Sequence, residues 1–371
     1  MIHKGHNILV NAKKEKADDF YTQLSDIEKE LKYYKSHFKN KVVLCNCDDP
    51  SISNFFHYFS YNFENLKLKK LITTCYKNQE RDLFSKNKNM QAIFLEYEGD
   101  KNKNKIPDLK EIGVNYLLGD GDFRSTECVS LLEKADIIVT NPPWSLFREY
   151  VDQLIKFKKK FLIMGPQNAF GYKTIFKLIK ENKLWIGHSI KSGDREFEIP
   201  DDYVVRSKKN LRVDSNGKRY LKVPGVRWFT NLEYEERHKD LILYKTYKNN
   251  ESEYPKYKNY DAINVDDRNL IPMDYKGNIG VPISFLNKFN PDQFEIIALG
   301  VVGSIDFSSN RKMEILKNGK PTNKFTFNGK GTLYRKHNPK IDKKPPAFKD
   351  CITGDLYQSI YSRIIVKNKK L

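Results

Sequence analysis

The chain has 371 residues, of which 39% are hydrophobic and 30% charged, and it contains 23 Phe, 22 Tyr and 3 Trp. This apolar content supports a substantial core and excludes disorder over the whole length. Lys and Arg number 66 against 47 Asp and Glu, which gives a formal net charge of +19. Such an excess favours an anionic partner, most simply nucleic acid, although a chain that uses lysine everywhere would show the same balance.

The cysteine pattern and the hydropathy narrow the class of protein. None of the five cysteines forms a Cys-x-x-Cys pair, so we expect no structural zinc or other metal. The odd cysteine count, without a signal peptide, is typical of a cytoplasmic protein. No segment approaches the roughly 18 apolar residues of a membrane span, so we expect no membrane association.

The first predicted element is a helix behind a basic lead. The segment "DDFYTQLSDIEKEL" places Phe20, Leu24 and Ile27 at three- and four-residue spacing, which predicts an amphipathic helix. We expect residues 1–40 to form a lead and a helix that pack on the core.

Short apolar runs then alternate with helical text such as "ISNFFHYFSYNF" and "STECVSLLEKA". This alternation predicts βαβ units and a mainly parallel sheet. The six runs lie at 41–49, 68–76, 92–99, 114–123, 135–141 and 160–168. Two later runs, at 183–190 and 225–232, would add antiparallel strands at one edge, and the polar segment between them would cross the sheet's active edge.

The alternation stops near residue 245, after which glycines, tyrosines and basic residues mix with short strands. We therefore predict an α/β fold with one domain over 41–245. Residues 246–371 would form a separate α+β region.

The segment "ADIIVTNPPWSLFREY" places Asn141-Pro142-Pro143-Trp144 directly after an apolar strand. Prolines end strands, and open α/β sheets bind ligands at such strand ends. The Asn141 side-chain oxygen and the Pro142 carbonyl could accept both N–H groups of an adenine amine and aim its lone pair at an electrophilic methyl group. Pro143 would stiffen the turn and Trp144 would stack on the base. The structural alternative is a strand-ending proline turn with a core tryptophan.

Two other turns suit a nucleoside cofactor. In "LLGDGDFRS", Asp122 could accept a hydrogen bond from an adenine amino group while Phe123 covers the ring; the alternative is an ordinary Asp-Gly turn with a core Phe. In "LCNCDDPSISNFF", small residues at a helix N-terminus would let a cofactor approach. Helix capping by Ser53 or Asn54 behind Pro50 is an equally good interpretation.

Together with "DDFYTQLSDIEKEL" and "RWFTNL", these motifs resemble the EcoRI-type adenine-specific DNA methyltransferases, from about residue 17 through 232. The Asn-Pro-Pro-aromatic motif is shared by amino methyltransferases that use S-adenosyl-L-methionine. The resemblance implies a Rossmann-like methyltransferase sheet within 41–245 and a target-recognition region within 246–371. It also implies site-specific N6 methylation of a flipped adenine in double-stranded DNA, of restriction–modification type, with a possible cognate restriction endonuclease acting on the same site.

The resemblance further assigns the site residues. It gives Asn141, Pro142, Pro143 and Trp144 to the target adenine. For the cofactor it implies Asp122 and Phe123 at the adenine, Asp49 and Pro50 near the methionine part, and Phe20, Tyr21 and Thr22 at the amino-acid end.

This sequence departs from the family pattern in three ways. Trp144 stands where the motif commonly has Phe or Tyr, and the glycine-rich cofactor loop of most methyltransferases is absent. The strand within 68–76 also lacks the acid that usually binds ribose, for which Glu96 on a neighbouring strand is only a weak substitute.

Reaching a base-paired amine requires rotating the nucleotide out of the stack, at a cost of a few kcal/mol. Lys and Arg within 206–212 and 317–337 are candidates for the phosphate contacts that would offset this cost. Two alternatives stay open: an RNA or protein-glutamine N-methyltransferase with the same chemistry, and a catalytically inactive methyltransferase fold that binds nucleic acid.

Overall fold

The structure is a computed structural model that describes residues 21–47, 53–74, 92–104, 107, 111–199, 203, 205, 208–308, 310–361 and 363–371. These residues form two compact units. The first comprises the described residues of Met1–Ile175 and Leu184–Glu235, and the second those of Phe176–Lys183 and Glu236–Leu371.

The first unit is built on a central sheet. Its strands are β1 (Val42–Cys45), β2 (Lys70–Thr74), β3 (Ile93–Tyr97), β4 (Ile112–Tyr116), β5 (Ile137–Thr140), β6 (Lys160–Pro166), β7 (Trp185–Ile186), β8 (Asp194–Ile199), β9 (Leu211–Val213), β10 (Arg219–Pro224) and β11 (Val226–Thr230). Eight of them form one sheet in the order β4-β3-β2-β1-β5-β6-β11-β7. All six apolar runs identified in the sequence contribute a strand to this sheet, so those strand predictions are confirmed.

The central sheet is mixed, whereas the sequence predicted a mainly parallel one. The strands β2, β1, β5 and β6 are mutually parallel, but β3 and β4 run antiparallel to their neighbours. A parallel pair needs a long crossover, usually a helix, and among the described residues between β3 and β4 there is no helix. The expected antiparallel pair at the other edge is confirmed: β11 lies antiparallel to both β6 and β7.

The parallel centre is fully buried because its residues are apolar on both faces. Every residue of β1 and β5 is buried, as expected for strands covered on both sides. By contrast, β4 at the sheet edge is largely exposed. Because β1, β5 and β6 are parallel, their carboxyl ends meet at one edge of the sheet, and the segments that follow β1 and β5 there carry candidate site residues.

The helices described before β7 are α1 (Leu24–Leu31), α2 (Asn54–Tyr61), α3 (Phe63–Leu66), α4 (Thr126–Lys134), α5 (Phe147–Lys156) and α6 (Lys173–Lys180). The Ser53 hydroxyl accepts hydrogen bonds from the backbone N–H groups of Phe55 and Phe56 at the start of α2, so Ser53 is a helix cap. Gly165 in β6 permits the close approach of α5, since a Cβ there would lie 2.3 Å from the Phe147 ring.

The polar segment between β7 and β11 forms an antiparallel sheet of its own, in the order β8-β10-β9. The sequence predicted only an excursion there. Tyr21 joins the edge of this sheet through two backbone hydrogen bonds with Glu198, of 2.9 and 3.1 Å. These hydrogen bonds attach Tyr21, the first described residue, to the rest of the first unit.

The second unit contains two further sheets, ordered β12-β13-β20-β14 and β16-β15-β18-β19-β17. Their strands are β12 (Ile263–Asn264), β13 (Ile279–Pro282), β14 (Phe294–Leu299), β15 (Lys312–Lys317), β16 (Lys320–Phe327), β17 (Leu333–Lys336), β18 (Phe348–Asp350), β19 (Leu356–Ile360) and β20 (Arg363–Asn368). Almost all pairings are antiparallel. The regular structure described in this unit is therefore largely β.

In the described part of the chain, no helix combines the length and apolar character needed to cross a membrane. Nor does that part contain a group of three or more His, Cys, Asp or Glu side chains able to hold a metal ion.

Candidate active site

The Asn141–Trp144 turn begins immediately after β5, at the carboxyl edge of the central sheet. Pro143 immediately precedes a short 3-10 turn, Trp144–Leu146, and its carbonyl accepts the Leu146 N–H at 3.0 Å. The two prolines therefore end the strand and turn the chain into α5, as the sequence predicted.

Asn141 and Trp144 are held together. The Trp144 indole Nε1–H donates a hydrogen bond to Asn141 Oδ1 at 3.0 Å. Both side chains are buried, with 5% and 4% of their surface exposed. An amide oxygen has two lone pairs, so the indole uses one acceptor site and identifies which end of the Asn141 amide is the oxygen.

The sequence left two interpretations of Trp144 open, a ring that stacks on the target base and a core tryptophan, and its position has features of both. Its ring meets Phe197 edge-on, with centroids 5.9 Å apart, and belongs to the main core of the first unit. It is thus a core tryptophan that also contacts the candidate catalytic asparagine. Its role in stacking on a base stays a prediction.

The Asp122 carboxylate is already engaged. Its Oδ1 accepts hydrogen bonds from Arg124 Nε and from the Arg124 backbone N–H, each at 2.9 Å, and its Oδ2 lies 2.6 Å from Arg124 Nη2. These contacts lower the pKa of Asp122, so the carboxylate stays ionised at neutral pH. The sequence placed Arg124 only as a neighbour in the turn and did not predict this pairing.

Phe123 and Asn46 are connected through Tyr150 of α5. The Phe123 ring packs edge-on against Tyr150 at 5.0 Å, and the Tyr150 hydroxyl donates to Asn46 Oδ1 at 2.5 Å. Asn46 follows β1 directly and is 4% exposed. One buried tyrosine thus connects the end of β1 with the Asp122–Phe123 turn.

The sequence interpretation missed both Asn46 and Tyr150. Asn46 carried a usable signal, because it is a polar residue directly after a fully apolar strand, at the edge where ligands bind. Tyr150 carried none, since a buried aromatic in an amphipathic helix is normally a core residue.

The early cofactor-binding candidates lie partly in the described structure. The Thr22 carbonyl accepts a hydrogen bond from Asn54 Nδ2 at 2.7 Å, and its hydroxyl lies 3.8 Å from Met164 Sδ in β6. Tyr21 and Thr22 thus reach β8 and the start of α2. Phe20, Asp49 and Pro50, which the sequence also proposed, lie outside the described residues.

The ribose candidate Glu96 pairs with Lys70 Nζ at 3.3 Å. Lys70 is the first residue of β2, at the end opposite the carboxyl edge. The ion pair therefore holds the Glu96 carboxylate towards the amino end of β2, away from the carboxyl edge. Within the described residues, the structure offers no support for Glu96 as a substitute for the missing ribose-binding acid.

Comparison with known proteins identifies the family. The profile of the adenine-specific methyltransferase EcoRI family matches residues 8–369. The chain is 52% identical over 292 residues to the type II methyltransferase M.EcoRI of Escherichia coli, an alignment that covers 79% of this chain and 89% of that protein.

Two mycoplasma proteins are also similar. The type II methyltransferases M.MgeORF184P of Mycoplasma genitalium and M.MpnI of Mycoplasma pneumoniae are each 41% identical over 287 residues, or 77% of this chain; the alignments cover 84% and 83% of those proteins. No solved structure gives a significant match. The profile match over nearly the whole chain confirms the resemblance carried by the sequence motifs: the chain belongs to the EcoRI family of adenine-specific DNA methyltransferases, the modification enzymes of type II restriction–modification systems.

Proposed function

We propose that this type II DNA adenine methyltransferase transfers a methyl group from S-adenosyl-L-methionine to N6 of an adenine rotated out of duplex DNA. The observation that carries the proposal is the fixed Asn141 amide at the carboxyl end of β5, oriented by the Trp144 indole at 3.0 Å. The family membership supports the same chemistry.

The adenine amine is a poor nucleophile because its lone pair is delocalised into the ring. An amide oxygen has two lone pairs, so Asn141 Oδ1 can accept an N–H of the amine in addition to the indole N–H, and the Pro142 carbonyl can accept the other N–H. Two rigid acceptors favour a pyramidal nitrogen whose lone pair points away from the ring. The rigid proline turn and the Trp144 hydrogen bond fix the acceptors in advance, so little reorganisation is needed during the reaction.

The cofactor supplies an electrophilic methyl group on a sulfonium sulfur. The residues present fit its adenosine part: Asp122 is held ionised as an acceptor, and the buried Phe123 ring lies next to it in the chain. Arg124 uses three of the roughly four acceptor positions of a carboxylate, which leaves one for an adenine amino group. The resemblance adds Phe20, Tyr21, Thr22, Asp49 and Pro50 around the methionine part.

In this proposal residues 41–245 form the catalytic domain, residues 1–40 pack on it, and residues 246–371 recognise the DNA target. The β15–β16 hairpin of the second unit supports the last assignment. Phe325 and Phe327 on its edge strand are 54% and 57% exposed, and Lys312 lies over the Phe325 ring at 4.9 Å. Exposed aromatic rings among lysines suit a DNA surface, where the rings contact bases and the ammonium groups contact phosphates.

Methylation-aware sequencing of DNA from cells that express the protein tests the proposal, with Asn141→Ala as the matched variant. We expect N6-methyladenine at one recurring sequence in the wild type and none in the variant. Calorimetry should show that the variant still binds S-adenosyl-L-methionine. Methyl transfer by the purified protein to RNA or to a protein glutamine, but not to duplex DNA, would contradict the proposal.

A further inference from the structure

The β15–β16 hairpin of the second unit has an irregularity on its outer strand. The cross-strand pairs Glu314–Phe325 and Leu316–Pro321 enclose one residue of β15 but three of β16, residues 322–324. The outer strand β16 therefore bulges, and it lies at the edge of its sheet. Bulges at sheet edges and beside functional sites commonly redirect a side chain, so we asked what this one presents.

Asn323 lies at the centre of the bulge. Its φ of 57° is in the left-handed region, which Asn tolerates better than most residues. Its backbone N–H donates to Glu314 Oε1 at 3.1 Å, and the Thr322 hydroxyl donates to the Ile315 carbonyl at 2.5 Å. These two contacts fix the bulge to β15. Asn323 itself is exposed, and its side-chain amide makes no hydrogen bond to the described residues, so both ends of the amide are available to a partner.

The surroundings of the bulge favour DNA as that partner. Residues 312–330 contain five lysines and one acid, Glu314, whose carboxylate accepts the Asn323 N–H. Two lysines and two phenylalanines of β16 are exposed: Lys320, Lys324, Phe325 and Phe327. Exposed apolar rings bordered by polar groups mark binding surfaces, and lysines are common phosphate contacts. The charge of this strand is thus complementary to a phosphate backbone.

We propose that Asn323 reads an adenine of the recognition sequence, other than the methylated one, in the major groove of the duplex. The inference rests on the proposed function and names a residue that determines its sequence specificity. An Asn side chain makes a bidentate contact with adenine, accepting from N6 and donating to N7, and β-strands of other DNA-binding proteins enter the major groove. Phe325 and Phe327 suit the same groove, because Phe makes apolar contacts with the thymine methyl group.

The alternative is that Asn323 serves only the backbone, since Asn and Gly are the residues that adopt a positive φ most readily. Asn318 provides the comparison within the same hairpin. It is exposed, has a φ of 52° and forms the turn with Gly319. That turn lies against another segment, because a Cβ at Gly319 would be 3.2 Å from Pro345. Glycine at either position keeps the backbone conformation and removes only the amide.

The test measures equilibrium binding of duplexes that contain the sequence mapped in cells. Each adenine other than the target is replaced in turn by 7-deazaadenine, which keeps base pairing and loses the N7 acceptor. We expect one replacement to weaken wild-type binding about fivefold, the value of one lost hydrogen bond. Asn323→Gly should bind the intact duplex roughly tenfold more weakly than the wild type and be insensitive to that replacement. Exchanging this A·T pair for G·C should also cost the variant less affinity than it costs the wild type.

Asn318→Gly is the matched control and should keep the wild-type response to every replacement, and both variants should bind S-adenosyl-L-methionine as the wild type does. If no replacement weakens wild-type binding, the inference fails whether or not Asn323→Gly folds. It fails too if Asn323→Gly and the wild type respond alike to every replacement. Either result leaves the proposed function intact. A wild-type protein that methylates no DNA would contradict the proposed function, and the inference with it.

Discussion

The hydrogen bond from Trp144 to Asn141 makes Trp144→Phe the most informative substitution in the site. Phenylalanine keeps an aromatic ring at the fourth position of the motif and only removes the indole N–H and part of the ring. Asn141 Oδ1 then loses the donor at 3.0 Å that orients its amide. The substitution therefore separates orientation of the asparagine from aromatic contact with the base.

The structure sets the expected size of the effect of Trp144→Phe on the free energy of unfolding and on the rate of methyl transfer. The lost hydrogen bond costs about 1 kcal/mol, and the smaller ring in a site that is 4% exposed leaves a void that costs about 1–2 kcal/mol more. The free energy of unfolding should thus fall by about 2–3 kcal/mol. If the freed amide loses about 1.4 kcal/mol of transition-state stabilisation, the rate of methyl transfer falls about tenfold.

Single-turnover transfer of tritiated methyl groups to duplex DNA measures this step apart from product release. Trp185→Phe is the control, since the Trp185 indole donates to the Leu232 carbonyl at 3.2 Å, in β7 at the sheet edge. It should lower stability and leave the transfer rate unchanged. A folded Trp144→Phe protein that transfers methyl groups within about twofold of the wild-type rate would refute the orienting role.

Three other outcomes are expected. Asp122→Ala should weaken the binding of S-adenosyl-L-methionine, measured by calorimetry, about tenfold. Glu149→Gln is the control, because Glu149 is the other carboxylate that pairs with Arg124, and it should leave this affinity unchanged. Equal effects of the two substitutions would remove Asp122 from the cofactor site. Alanine at both Phe325 and Phe327 should weaken duplex binding several-fold without changing cofactor affinity, and unchanged duplex binding would exclude the hairpin from the DNA surface. Burial raises the pKa of Glu30 above 4.5, so the folded chain holds this proton to higher pH than the unfolded chain, and the free energy of unfolding falls as pH rises through that window. Urea titrations at a series of pH values upward from 4.5 should show a smaller fall in Glu30→Gln, and parallel profiles would contradict the assignment.

Local pattern was sufficient to predict most of the elements around the site. Apolar runs of strand length predicted the six strands from Val42 to Pro166. The signal is strongest for β1, β5 and β6, because a strand buried on both faces needs continuous apolar side chains. The antiparallel pair β7 and β11 was predicted for the same reason. The antiparallel direction of β3 relative to β2 and β4 was not predicted. Strand direction depends on the path of the connecting segments, which the apolar pattern does not encode.

The sequence by itself determined that an asparagine and two prolines end a buried strand at the ligand-binding edge, because proline cannot continue a ladder and apolar runs fix where strands lie. The sequence also identified the family, through short motifs that are spread from about residue 17 through 232. Only the tertiary structure decided that Trp144 orients Asn141 and that Tyr150 connects Asn46 with the Phe123 turn. These relations depend on side-chain rotamers and on strands brought together from distant segments, and no local pattern of residues specifies either.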